Sequence, residues 1–310
     1  MDINKYYVGD NLALLKSFPD DTFQMVYLDP PFATGRDFDD YMDKFNSLEE
    51  YGLFLYDRFI EIKRILKKDG VILVHGEPSS HHYVRLYLDK VFGSKNFCNE
   101  IIWKSGGNKK SSKKLARFHD NISVYSKTKK YKYNPIYTEY DEDYRKKSNI
   151  KYCPIHKKEY TTTAAHNSQP NVVQRPNLRY EWKGNTRQWY IEKSKMIKLD
   201  NDNRLEYNSK NIPRIKRFLD EMYGIPIRDM WIDISSIQSG EKLDYATQKP
   251  IKLLERIITL YSDENDLIMD PFAGSGTTGR AAINLNRKYV LIDISEKGKK
   301  LFQESIKKRT

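Results

Sequence analysis

Two short stretches near opposite ends of the chain hold residue types that can do chemistry. The first is Asp29-Pro30-Pro31-Phe32. The apolar residues leading into it (Phe23, Met25, Val26 and Leu28) predict a buried strand that stops at Asp29. Neither proline can donate a backbone hydrogen bond or continue a ladder, so the turn is stiff and its carbonyl oxygens are bare. A carboxylate, a proline carbonyl and an aromatic face are thus held together at the carboxyl end of a strand, which is where open α/β sheets bind ligands.

The second stretch is Asp270-Pro271-Phe272-Ala273-Gly274-Ser275-Gly276-Thr277-Thr278. It follows a strand pattern at Leu267-Ile268-Met269 and opens a helix expected over 277–286, after which Tyr289 to Asp293 reads as another strand. Gly274, Gly276 and Gly279 have the dinucleotide-fingerprint spacing, with Asp293 at nearly the position of its acidic partner. Any strand-loop-helix that brings backbone close to a nucleotide wants such glycines, so a nicotinamide or flavin enzyme is a rival. Against that rival, too little chain follows Leu267 to build a second half-sheet, and the missing strands must come from the N-terminal segment. A phosphate-binding P-loop is excluded because no lysine follows the glycines.

Together, in this order, the two motifs resemble those of the amino-methyltransferases of DNA. Asp29-Pro30-Pro31-Phe32 is similar to the family's catalytic motif, and residues 270–278 to its S-adenosylmethionine motif. Catalytic motif first and cofactor motif last is the order of the circularly permuted β group, mostly adenine-N6 enzymes. The resemblance implies an α/β fold with a permuted Rossmann-like core. Residues 1–103 would be its catalytic half and 241–310 its cofactor-binding half, with a basic target-recognition, DNA-binding region at 104–240 inserted between them.

The resemblance also implies roles. S-adenosylmethionine would be held by Asp10 near its adenine, by Asp270, Phe272, Gly274, Ser275, Gly276 and Thr277 around its methionine part, by Asp293 at its ribose hydroxyls and by Lys249 near its carboxylate. The Asp29 carboxylate and the Pro30 carbonyl, with Pro31 stiffening the turn, would accept the two hydrogens of an exocyclic amine and draw its nitrogen towards tetrahedral geometry. Phe32 would stack on a base flipped out of double-stranded DNA. Read alone, Asp10 is as well a helix N-cap, and Lys249 a surface lysine.

Asp at position 29 leans towards adenine by resemblance, although either amine could make these bonds. Cytosine-N4 transfer is therefore the alternative, and a non-catalytic DNA-binding protein that keeps the fold is the rival from another class. Cytosine-C5 chemistry needs a cysteine usually preceded by proline; Cys153 instead precedes its proline and Cys98 has none beside it. Asn-Pro-Pro-Tyr enzymes that act on glutamine side chains share the amine logic, but Asp29 and the basic middle segment argue for DNA. The family resemblance leaves room for a homodimer and for a cognate restriction endonuclease as partners.

Charge supports a polyanionic partner. The 310 residues carry a net +12, and its distribution matters more than its size. Between Lys104 and Arg217 lie 28 of the 54 Lys and Arg but only 11 of the 42 Asp and Glu, so this span holds +17 and the rest of the chain −5. Any one run, such as Lys109-Lys110 or Lys113-Lys114, could be a solvated face; segregation of the whole excess favours nucleic acid. Two cysteines in unlike contexts give no disulfide framework. The start, Met1-Asp2-Ile3-Asn4-Lys5, has no signal-peptide pattern and no apolar run reaches membrane-spanning length, so a cytoplasmic protein without a membrane partner is expected.

The elements that must position these residues follow from periodicity. Tyr6 to Leu28 reads as strand, short helix (Asn11 to Phe18), strand. Residues 33–40, polar and containing Gly35, read either as a mobile lid over the site or as a plain surface loop. Ser47-Leu48-Glu49-Glu50 has capping-box spacing, and Leu53, Phe54, Phe59, Ile60, Ile62, Ile65 and Leu66 keep a helical period that Lys67-Lys68-Asp69-Gly70 should close. Val71 to His75 then reads as a strand parallel to the first motif's. His75, His81 and His82 lack ligand-spaced partners and read as strand-end and loop histidines; Cys153-Pro154-Ile155-His156 is half a metal site without its other half. Residues 122–125 and 131–137 alternate like strands. Tyr180, Trp182, Trp189 and Tyr190 among Arg and Lys suit either base stacking or a small domain's own core. A final helix carries a stripe of Ile251, Leu254, Ile257, Ile258 and Tyr261 after Pro250.

Overall fold

The computed structural model describes residues 1–33, 35, 37, 38, 41, 42, 44–106, 115–167, 175–237 and 240–307. The lid expected at 33–40 and the lysine pairs at 109–110 and 113–114 lie wholly or partly outside them. The chain divides into two compact units, one of residues 1–136 with 228–310 and the other of residues 137–227.

The first unit is built on an eight-stranded sheet. Its strands are β1 (Lys5–Val8), β2 (Phe23–Leu28), β3 (Leu66–Gly76), β4 (Phe97–Trp103), β5 (Asp120–Ser126), β6 (Met230–Trp231), β7 (Leu267–Asp270) and β8 (Lys288–Asp293). They lie in the order β1-β8-β7-β2-β3-β5-β4-β6. Neighbours from β1 to β3 are parallel, β5 is antiparallel to both β3 and β4, and β6 runs parallel to β4. Every residue of β2 is buried, as a central strand covered on both faces requires. Among the described residues, six α-helices belong to this unit: α1 (Asn11–Ser17), α2 (Leu48–Ile65), α3 (Pro78–Phe92), α4 (Ile251–Tyr261), α5 (Thr277–Asn284) and α6 (Glu296–Lys307).

The first and last thirds of the chain thus share one sheet: β2 sits against β7, with Ile268 opposite Met25 and Met269 opposite Val26. The sheet also reaches further along the chain than the expected edge at residue 103. β5 and β6, both inside 104–240, are two of its strands, and the second unit starts at Tyr137 and ends at Ile227.

Several local expectations are corrected. Ser47 does cap α2, accepting from Glu50 N–H at 3.1 Å. However, α2 ends at Ile65 and β3 begins at once, so Lys67 to Gly70 form an irregularity in the β2–β3 pairing rather than a helix stop. Gly70 is needed there because a Cβ would stand 3.0 Å from the Phe23 carbonyl oxygen. Leu53 and Ile60, counted in the helical period of α2, are exposed. His81 and His82 lie on α3, not in a loop. Residues 131–136 form no strand, because their backbone bonds run elsewhere: Lys132 N–H to Asp69 O, and Asn134 N–H to Leu260 O at the end of α4.

The second unit holds a four-stranded antiparallel sheet, ordered Leu205–Tyr207, Pro213–Phe218, Lys158–Ala164, Lys151–Cys153. A separate hairpin joins Arg179–Trp182 to Asn185–Gln188. Trp182 and Trp189 are buried with Ala165, Met196 and Leu205, and Tyr180 packs against them. Three of the four aromatics at 180–190 therefore serve the unit's own core; Tyr190 stays exposed. Cys153 Sγ lies 3.2 Å from His156 Nδ1, and among the described residues no group of three potential ligands could hold a metal ion. Nor, among them, is any helix long and apolar enough to cross a membrane.

Candidate active site

Four neighbouring parallel strands, β1, β8, β7 and β2, each deliver an aspartate at or just beyond their carboxyl ends: Asp10, Asp293, Asp270 and Asp29. All four line one cavity of about 400 Å³, together with Pro31, Phe272, Gly274, Ser275 and Thr277 from the two motifs and with Lys249. The cavity lies at the carboxyl edge of the sheet because side chains just past a parallel strand have no ladder partner and face the space between loops.

Asp29 is paired. Its Oδ2 forms an ion pair with Lys249 Nζ, both side chains being largely buried. Its Oδ1 is buried with no hydrogen-bond partner among the described residues. A buried carboxylate oxygen without a donor is costly, so this oxygen is poised for a donor brought by a ligand. Lys249 Nζ also lies 5.2 Å from the centre of the Phe32 ring. The structure therefore places Lys249 against the first motif, while sequence reasoning put it at the cofactor's carboxylate. Pro30 is buried; Pro31 and Phe32 are half-buried. The Phe32 ring stacks on His75, 5.9 Å between centres and 30° from parallel.

Asp270 closes β7 fully out of water. It accepts Phe272 N–H at 2.9 Å and the Thr278 hydroxyl. Burial pushes its carboxyl up to about 7, against those two donors and with help from the charges of Asp29 and Asp293. Asp293 Oδ2 accepts Gly274 N–H at 2.8 Å and Oδ1 accepts Ser295 N–H at 2.9 Å, so the last acid braces the glycine loop against the next turn.

The loop glycines divide by role. Gly274 adopts a φ of +49°, and a Cβ there would stand 2.9 Å from Tyr245 Cε1, in the cavity lining. Gly276, with a φ of +74°, precedes α5, and its Cβ would stand 2.5 Å from Phe302 of α6. Gly276 is thus demanded by turn geometry and helix packing.

Asp10 caps α1, accepting Ala13 N–H at 3.0 Å, and it also lines the cavity, so both of its expected roles fit one position. Sequence reasoning missed its neighbours. Arg58 of α2 is buried, donates from Nε to Asn11 Oδ1 at 2.6 Å and stands 3.4 Å from Asp10 Oδ2. Asn11 in turn donates to the Pro271 carbonyl at 2.7 Å, tying α1 to the second motif. The Arg58 guanidinium lies over Phe54, whose ring is 6.0 Å from that of Phe272 and tilted 53° to it, giving the cavity an aromatic corner. An arginine four residues from both Phe54 and Ile62, inside the apolar period of α2, was the available signal for Arg58.

The model of a family described as DNA methylase matches residues 23–304. The type II methyltransferase M.EcaI of Enterobacter cloacae is 31% identical over 294 residues, which are 88% of this chain and 62% of that protein. The DNA adenine methyltransferase YhdJ of Escherichia coli (strain K12) is 25% identical, over 93% of this chain and 77% of its own length. The crystal structure of the M1.HpyAVI-SAM complex has a TM-score of 0.54 and 14% identity, covering 97% of this chain and 98% of the other; at that identity it supports the fold.

Proposed function

This chain belongs to the DNA methylase family, and we propose that it transfers a methyl group from S-adenosylmethionine to the N6 amine of adenine in double-stranded DNA. The observation that carries the reading is the delivery of Asp10, Asp293, Asp270 and Asp29 into one cavity by four adjacent strands drawn from both ends of the chain.

The cavity fits such a cofactor on its own chemistry. Four carboxyl groups and three basic groups, Lys44, Arg58 and Lys249, line it, a mixture of charges that suits a zwitterionic ligand. Asp293 is placed to accept from ribose hydroxyls while bracing Gly274. Phe272 and Phe54 offer a face to a flat ring, and Asp10 a hydrogen-bond acceptor beside it. The left-handed turn at Gly274 keeps side-chain bulk away from the approach. When bound, S-adenosylmethionine supplies a methyl group activated on a positively charged sulfur.

The remaining work falls to the first motif. An exocyclic amine has its lone pair delocalised into the ring and is a poor nucleophile. Asp29 Oδ1, lacking a donor of its own among the described residues, accepts one amine hydrogen and the Pro30 carbonyl the other, which turns the lone pair out of the ring plane. Phe32 stacks on the base and fixes its plane for in-line attack. The base leaves the duplex to reach this depth. The proton released by the methylated amine passes to Asp29 or to water.

The basic span 104–217 is our candidate for target recognition. In the second unit, Lys147 and Lys157 are exposed and available to phosphates, while its tryptophans are committed to its core. The chain spans 62% of the length of M.EcaI, and the substrate assignment is our own. A cytoplasmic location, a homodimer and a cognate restriction endonuclease belong to the same proposal.

Incubating the purified protein with radiolabelled S-adenosylmethionine and methylation-free phage DNA tests the proposal. Label should appear in N6-methyladenine after digestion to nucleosides. Label confined to cytosine moves the assignment to N4 transfer, and no label with intact DNA binding moves it to a non-catalytic binder.

A further inference from the structure

Behind Phe32 lies a row of buried polar side chains that the transfer described above does not use. His75, near the end of β3, is fully buried. Its Nδ1 is 2.8 Å from the Tyr27 hydroxyl on β2, and its Nε2 is 3.3 Å from Asp120 Oδ2 at the start of β5. The three residues stand on adjacent strands, so the row crosses the sheet just beneath the first motif. Trp103 meets the imidazole edge-on, 5.7 Å between centres, and Phe32 covers its face.

The protonation pattern follows from Asp120. Burial raises its carboxyl, but the bond from His75 and the charges of His75, Lys249 and Arg117 outweigh this and hold it down at about 2. Asp120 is therefore a carboxylate at neutral pH and can only accept, so Nε2 carries a hydrogen. Nδ1 makes the ring's second bond, with the Tyr27 hydroxyl. Hydrogen bonds at both ring nitrogens fix the plane of the imidazole.

A histidine that only filled space here would be an expensive choice. Burying a carboxylate and a hydroxyl to serve it costs more than an apolar ring of similar size. An apolar ring could also lie against Phe32, but nothing would set its rotation. The hydrogen-bonded ring has a fixed plane, and that plane is what Phe32 stacks on.

We propose that Tyr27, His75 and Asp120 are positioning residues that fix the Phe32 ring, and through it the plane in which the acceptor base is held for methyl transfer. The inference rests on the methyltransferase reading. It locates orientation of the acceptor in a row that leaves the cavity lining at Tyr27 and runs through His75 to Asp120, away from the cofactor loop, so loss of His75 should fall on transfer and leave cofactor affinity alone.

A double-mutant cycle tests it. Single-turnover methyl transfer is measured with methylation-free phage DNA and radiolabelled S-adenosylmethionine for the parent, His75→Gln, Phe32→Leu and the double variant, with cofactor affinity measured by calorimetry. His75→Gln should slow transfer about tenfold or more in the Phe32 background, as removal of an orienting partner does at other sites. Cofactor affinity should stay within about twofold, and the slowing should vanish once Phe32 is leucine. An equal fold-loss in both backgrounds shows that His75 acts on the fold generally and overturns the inference alone. No transfer by the parent overturns the functional reading and this inference with it. If His75→Gln does not fold, Tyr27→Phe, which removes one oxygen, carries the same cycle with the same two outcomes. Asp120→Asn, which can still accept from Nε2–H, should retain most of the activity that Asp120→Leu loses.

Discussion

Lys249 Nζ and Asp29 Oδ2 form an ion pair across 220 residues of sequence. The contact joins the turn after β2 to the segment entering α4 and brings the only carboxylate of the first motif against the lysine of Gln248-Lys249-Pro250. It gives the sheet's two chain halves an electrostatic tie where a ligand would arrive.

Removing one partner should therefore cost stability. Lys249→Met leaves a largely buried carboxylate uncompensated, and breaking such a pair costs about 3 kcal/mol. Adding Asp29→Asn to that variant should restore most of the loss, because no unpaired charge then remains. Denaturant unfolding of both variants checks this; equal destabilisation of the single and the double would mean that the lysine's packing matters and its charge does not.

Asp29→Ala should abolish most methyl transfer while leaving cofactor binding close to that of the parent. Loss of a group aimed at the reacting nitrogen costs about 10²–10³-fold in rate. The cofactor loop is held by other bonds, from Asp270 to Phe272 and from Asp293 to Gly274. Calorimetry beside a transfer assay separates the two effects, and parallel loss of both would assign Asp29 to the cofactor's site.

Gly276→Ala should destabilise the protein by about 3 kcal/mol, from overpacking and a left-handed residue carrying a Cβ. Phe302, which the new methyl would meet, is itself buried and has little room to withdraw. Thermal unfolding measures the loss; a change under about 0.5 kcal/mol, the ordinary surface value, would mean that α6 can shift away.

Asp270 sets a pH dependence. Its folded value, about 7, lies above its ordinary 3.8. Its contribution to stability is therefore fully present below about pH 3.8 and is lost as pH rises through about 7. Asp270→Asn removes that ionisation, so its melting temperature relative to the parent should rise between pH 5 and pH 8. A difference that stays flat across that range would show that Asp270 does not ionise there. Asp120 has the opposite sign: its contribution is present above 3.8 and is lost only as pH falls through about 2.

The sheet's centre was legible because its signals are local. A run of apolar residues stopped by Asp-Pro-Pro, and another stopped by Asp-Pro and glycines, each mark a strand end whatever the rest of the chain does. Which strands become neighbours was legible only through the shortage of chain after Leu267. β5 was harder to place: Ile122 to Tyr125 is a short apolar run inside the basic span, and nothing local says that it pairs antiparallel with β3. Lys249, Arg58 and the His75 row were not legible as partners, because each depends on contacts between elements distant in sequence. Trp182 and Trp189 show the limit of composition: aromatics among cations fit both stacking and a core, and packing settled it as core.

The placing of β2 against β7 has a consequence for synthesis. The strand that ends at Asp29 emerges early from the ribosome, but its partner on one side is not made until residue 270 has been added. Until then the catalytic edge of β2 is an open row of unpaired amides, which favours association with other chains over native closure. Chaperone protection during the long middle of translation, and an inactive product from any transcript that stops before β8, are the price of drawing one pocket from both ends of a polypeptide.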